Sequence, residues 1–202
     1  MQQPVPPQKN VVLIICGPAG SGKTTLCDQL LEAYPDQVKR LVTTTSRSPR
    51  PGEVDGIDYH FLSPGTFEKR IKQGAFIEWA KVHGRYYGSQ KTHIEALLQS
   101  GADILLNIDI QGADAFHRES LINPILAGRL HRVFIKPQSM EQLRQRLQGR
   151  GSDNEAEINR RLKTAEEEIK AAEQFDHIII SGSKEDDFQA IDTFYHSLRN
   201  SG

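Results

Sequence analysis

The chain has 202 residues, 37% hydrophobic and 25% charged, which allows one buried core and is ordinary for a soluble domain. Its formal net charge of -1 excludes the global basic field that holds nucleic acid or an anionic membrane, so any anion site must be local. No run approaches eighteen apolar residues, and Cys16 and Cys27 are the only cysteines; no membrane span and no disulfide framework are expected, and a reduced cytoplasmic location fits best.

Residues 1–10 are rich in proline and glutamine and read as a disordered tail. Residues 11–16 are apolar and β-branched up to Gly17, the pattern of a buried parallel strand. A glycine-rich turn follows. Leu26, Leu30 and Leu31 then sit at helical spacing over 24–34, and Pro35 ends the helix. Residues 38–42 are a second strand candidate. The polar stretch 43–56, with Pro49, Pro51 and Gly52, reads as loop and turns. Ser63 as N-cap with Pro64 behind it opens a short helix over 64–73. Residues 76–82 are apolar and aromatic, and 84–88 read as a turn carrying Tyr86 and Tyr87. From Gln90 the pattern turns regular: helix 91–99, buried strand 104–110, helix 111–119, strand 130–135, helix 139–148, long helix 155–174, strand 177–181 and helix 185–199. Strands alternating with helices predict an α/β fold with a parallel sheet covered on both faces. The stretch 43–89 breaks the alternation and is expected to be an inserted subdomain.

Gly17-Pro18-Ala19-Gly20-Ser21-Gly22-Lys23-Thr24 matches G-x-x-x-x-G-K-[ST] in full, with Thr25 following. In such a loop the glycines let successive N–H groups converge on phosphate oxygens, and the helix behind adds its positive end. Lys23 is expected to reach the β- and γ-phosphates, and the Thr24 hydroxyl to ligate Mg²⁺. The motif identifies a phosphate site and leaves the acceptor open.

The insertion addresses the acceptor. Arg47 and Arg50 stand three apart around a proline turn, ahead of Tyr59; two guanidinium forks and a phenol can hold one phosphate monoester. Taken alone, this would be a solvated basic loop. Glu78 lies within Phe-Ile-Glu-Trp-Ala, and Tyr87 and Ser89 within Tyr-Tyr-Gly-Ser. With the cradle, these segments resemble the guanylate kinase family over residues 10–199. The resemblance is carried by GPAGSGKTT, TSRSPRPGEVDGIDYHF, FIEWA, YYGS, IDIQG and RLQGRGSD, in the family's order. It implies transfer of the γ-phosphate of ATP to GMP, with Mg²⁺, in purine nucleotide metabolism. It also implies that Arg47, Arg50, Tyr59 and Tyr87 bind the GMP phosphate, while Thr43, Glu78, Ser89 and Asp109 line its base side.

The implied architecture is a P-loop core (11–42, 90–143 and 162–202), a GMP-binding insertion (43–89) and a helical lid (144–161). In the lid, Arg146, Arg150 and Arg161 are the candidates to close over the transferring phosphate; Arg144 and Arg160 read as solvated helix face. No general base is needed, because a GMP phosphate oxygen is already ionised. The expected catalytic set is therefore Lys23, Arg47, Arg146, Arg150 and Arg161. Asn107 departs from the Asp-x-Asp usual in similar kinases. As Asn107 and Asp109 share the predicted strand, both are expected on the cradle's side. Two rival classes remain: a non-catalytic protein-binding module, disfavoured by the intact Lys23 and Thr24, and a kinase for a sugar phosphate such as ribose bisphosphate, which has no use for Glu78. The sequence leaves monomer and homo-oligomer both open.

Overall fold

The computed structural model describes residues 10–82, 84–149 and 154–200. β1 (Val12–Cys16) leads through the glycine-rich turn into α1 (Lys23–Ala33) and β2 (Val38–Arg40). The insertion follows as β3 (Thr44–Thr45), β4 (His60–Phe61), α2 (Pro64–Lys72), β5 (Phe76–Val82) and β6 (Arg85–Gln90). The chain then returns through α3 (Lys91–Gln99), β7 (Asp103–Asn107), α4 (Ile110–Ser120) and β8 (Leu130–Pro137). It closes with α5 (Met140–Gln148), α6 (Glu155–Lys170), β9 (His177–Ser181) and α7 (Lys184–Asn200).

β1 is buried throughout, as a strand covered on both faces must be. Its side chains divide with a period of two. Val12, Ile14 and Cys16 join a cluster with Ile94 and Leu98 of α3 and Phe116 of α4. Leu13 and Ile15 join Leu26 and Leu30 of α1 and Ile191 and Tyr195 of α7. The resulting parallel sheet has the order β2-β7-β1-β8-β9, with β1 at its centre. A third apolar cluster, Leu143, Leu147, Ile158, Leu162 and Ala165, fastens α5 to α6.

The insertion builds its own four-stranded sheet, β4-β3-β6-β5. It differs from the sequence reading in two places. Residues 84–88 are mostly strand, because Arg85–Gln90 pairs antiparallel with β5. The predicted loop contains β3, whose Thr44 and Thr45 are fully buried between β4 and β6. Gly88 is required there, since a Cβ would stand 2.7 Å from the Glu78 carbonyl oxygen.

Element boundaries in the core also move. The predicted strand 104–110 ends at Asn107, and α4 begins at Ile110. The Asp109 carboxylate takes the Gly112 N–H at 2.8 Å, and that cap starts a helix where apolar content alone suggested more strand. The predicted helix 155–174 stops at Lys170 and tightens into a 3₁₀ turn over Ala172–Gln174. α5 runs through position 144 and α6 through position 161, so both expected lid boundaries fall inside helices.

Candidate functional site

The cradle is fixed by backbone geometry. Gly17 has φ 140°, and a Cβ there would meet the Ile135 carbonyl oxygen at 2.4 Å. Gly22 caps α1 in the left-handed region at φ 99°, without a side-chain cap. The first-turn N–H groups of α1 therefore have no side-chain partner at the cap and face the loop, as an anion site requires. Lys23 Nζ donates to the Gly17 and Pro18 carbonyl oxygens at 2.6 and 2.9 Å, which holds the ammonium over the loop. Thr24 and Thr25 are exposed at the start of the helix, and Ala19 on the rim, whereas Ser21 is fully buried.

A cavity of about 260 Å³ opens beside the cradle, lined by Gly20, Gly22, Thr25, Arg146, Lys184 and Asp187 among others. Arg146 is held there by the Ser181 hydroxyl at 2.8 Å and the Gly182 carbonyl at 2.9 Å. Asp187 in turn accepts from Ser181 Oγ and Gly182 N at 2.8 and 2.7 Å. The start of α7 thus positions the arginine.

On the other side of α1, a cavity of about 190 Å³ is lined by Thr24, Arg40, Thr43, Asp58, Tyr59 and Asn107 among others. Asn107 Nδ2 donates to Thr24 Oγ1 at 3.3 Å, so Asn107 does face the cradle. Asp109 does not share that orientation, because the strand has already ended. It lines a third cavity of about 320 Å³ with Glu78, Trp79, Gln111, Gly112 and Arg118.

In that third cavity the Ser89 hydroxyl donates to Glu78 Oε1 at 2.7 Å. Burial pushes the Glu78 carboxyl above its usual range, the Ser89 bond pulls it back in part, and the charge of Asp109 adds to the rise. A half-buried carboxylate held by Ser89 is an acceptor for neighbouring N–H groups. Thr43 lies in the second cavity and not in this one.

Arg47, Tyr59 and Tyr87 converge. The Arg47 guanidinium carbon lies 5.4 Å from the Tyr59 ring centre, the two tyrosine rings are 6.1 Å apart, and the Tyr87 hydroxyl bonds Arg47. Arg50 stands exposed on the adjoining turn. Sequence reasoning passed over Glu53, which accepts from Arg47 Nη1 and Nη2 at 2.8 Å each and from the Arg50 N–H at 2.7 Å. Its signal was present: a glutamate directly after a Pro-Gly turn, six residues from Arg47.

The lid candidates separate. Arg146 touches the cradle's cavity, and Arg150 lies outside the described residues. Arg161 bonds Glu157 at 3.0 Å. Glu168, seven residues on and so on the same face of α6, has its carboxyl raised by burial, with Lys23 and Asp109 as electrostatic neighbours. Arg144, with 31% of its side chain exposed, ties α5 to α6 by bonding Glu155 and, at 2.6 Å, Asn159. Arg160 is 72% exposed on its own helix.

The family model for guanylate kinase matches residues 9–198. A guanylate kinase of Idiomarina loihiensis is 42% identical over 88% of this chain and 80% of its own length. One of Clostridioides difficile is 37% identical over 96% of this chain and 90% of its own. Among solved structures, guanylate kinase from Anaplasma phagocytophilum aligns with a TM-score of 0.68 at 29% identity, covering 95% of this chain and 87% of that one. The chain belongs to the guanylate kinase family.

Proposed function

We infer that this protein transfers the γ-phosphate of ATP to GMP, giving ADP and GDP, as part of purine nucleotide metabolism and GMP recycling. The observation that carries the acceptor is Glu78, held by Ser89 beside Asp109 in an otherwise mixed cavity. Guanine presents N1–H and N2–H₂ side by side, and one carboxylate accepts both. Adenine presents a lone pair at N1, which that carboxylate repels. Arg47, Arg50, Tyr59 and Tyr87 are assigned to the GMP phosphate; Ser89 and Thr43 supply hydroxyls toward the nucleotide, Thr43 from the neighbouring cavity.

The donor phosphates belong on the loop from Gly17 to Thr25, with Lys23 turning from its carbonyl partners toward the β- and γ-oxygens. A GMP phosphate oxygen attacks the γ-phosphorus while the bond to the β,γ-bridging oxygen breaks and ADP leaves. The attacking group carries charge at neutral pH, since a phosphomonoester loses its second proton near about pH 6, so no side chain need remove a proton. Arg146, Arg161 and the lid residue Arg150 are assigned to the equatorial oxygens, where charge changes during transfer. The Thr24 hydroxyl, exposed beside the Asn107 amide, would hold Mg²⁺, which would supply positive charge to offset that of the transferring phosphate. Two buried cysteines without a disulfide support the cytoplasm as the site of action.

Replacing Glu78 by Gln tests the acceptor assignment. The amide presents a donor where guanine also donates, so kcat/KM for GMP is expected to fall by roughly two orders of magnitude or more, with KM for ATP little changed. Equal losses for both nucleotides in steady-state kinetics would remove Glu78 from the base site.

A further inference from the structure

We infer that Glu53 is a positioning residue that holds Arg47 by the end of its fork and turns the side edge of the guanidinium toward the acceptor phosphate. The inference rests on the assignment of Arg47 to that phosphate. A guanidinium has five N–H donors. Glu53 takes one from Nη1 and one from Nη2 at 2.8 Å each, and the Ser48 carbonyl takes the other Nη1 donor at 2.9 Å. The remaining two, on Nε and Nη2, lie parallel along one edge, the spacing at which Arg binds two oxygens of one phosphate; Tyr87 also bonds this guanidinium, so a phosphate there shares the edge with the Tyr87 hydroxyl. The same guanidinium meets Tyr87 and stands over Tyr59. Both partners are largely shielded, with 15% and 19% of their side chains exposed. Because Glu53 also accepts from the Arg50 N–H, one carboxylate sets the orientation of Arg47 and the shape of the turn that bears Arg50.

The placement has an electrostatic cost, which gives the inference a decisive sign. Glu53 brings a negative charge beside an anion-binding site. Were charge all that mattered, removing it would tighten GMP. Were Glu53 a positioning residue, removing it would release Arg47 into many rotamers, and GMP would bind more weakly despite the more positive site. The hydrogen bonds from Arg47, and then from the Arg50 N–H, hold the Glu53 carboxyl at about 2. It is ionised throughout any practical assay range, so its effect does not vary with pH there.

The test is Glu53→Gln in the full-length protein, with GMP affinity measured by calorimetry alongside KM and kcat. The expected result is a roughly tenfold rise in Kd and KM for GMP, the size of losing one charge-assisted hydrogen bond. KM for ATP and the inhibition constant of guanosine, which lacks the phosphate, are expected to hold. Arg47→Lys, which cannot be gripped as a fork, provides the control for a merely weakened fold: adding Glu53→Gln to it should change GMP affinity no further. Unchanged or tighter GMP binding by Glu53→Gln overturns the inference, and so does an equal loss of guanosine binding or full additivity with Arg47→Lys. Failure of the wild type to bind GMP instead overturns the acceptor assignment itself.

Discussion

At the scale of single residues, the site is a set of polar groups whose partners fix what each has left to offer. Asn107 shows this beside the cradle. Its amide donates to Thr24 Oγ1, whereas an aspartate there would accept the Thr24 proton and add a charge near the metal. Asn107→Asp is therefore expected to raise the apparent Mg²⁺ affinity of the ATP complex by roughly tenfold, the usual order for groups just outside a metal's own ligands; calorimetric titration of Mg²⁺ checks this, and an unchanged affinity removes Asn107 from the metal's surroundings. Glu78 carries a cost of its own. Burial raises its carboxyl above the unfolded value, so the folded state holds that proton more tightly, and the ionised form subtracts stability at neutral pH. That penalty fades as pH falls through the raised folded value. Glu78→Gln should accordingly stabilise the fold by about 1 kcal/mol at neutral pH, a typical gain when a functional residue is neutralised, and by less in acid. Urea melts at two pH values measure both; a loss of stability at neutral pH counts against a strained carboxylate.

At the scale of elements, geometry is set by close backbone approaches that a sequence reveals only in part. β5 and β6 bring Glu78 opposite Ser89, and they do so because Gly88 lets the strands nest. Gly88→Ala forces β5 outward from its Glu78 carbonyl, at a cost of about 1–3 kcal/mol, and is expected to raise KM for GMP while leaving KM for ATP in place. Denaturation and steady-state kinetics together check it, and unaltered GMP kinetics contradicts the link. The sheet strands of the core were legible because continuous apolar runs such as 11–16 have one stable use, burial on both faces. β3 and β6 were not, since Thr44, Thr45 and Ser89 are polar yet fully buried, satisfied by partners distant in sequence such as Gln90 for Thr44. The end of β7 was misplaced for a different reason: Ile108 and Ile110 prolong the apolar pattern, but the cap at Asp109 turns the chain into α4. The phosphate loop was legible residue by residue, because its chemistry is local. Glu53 was not, because its role lies in which edge of Arg47 it occupies.

At the scale of the molecule, the chain leaves the central sheet after β2 and rejoins it through α3 at β7, so β3 to β6 form one insertion beside the cradle. No described helix is long and apolar enough to cross a membrane. Three cavities surround the N-terminus of α1 and the C-terminal end of β7, where ligands gather in open parallel sheets. On the proposed assignment, the donor side lies with the core and α5, and the acceptor side with the insertion and the start of α4. Phosphoryl transfer between nucleotides needs both sides, and the central claim is that the acceptor side reads guanine. The most direct test is ADP release by the wild-type protein with ATP and, in turn, GMP, dGMP, AMP or ribose 1,5-bisphosphate. GMP is expected to be turned over fastest and dGMP accepted, since base and phosphate are shared, with AMP lower by roughly 10⁴ in kcat/KM, as for a site that leaves buried polar groups unpaired. Comparable rates with AMP, or faster release with ribose 1,5-bisphosphate, would contradict it.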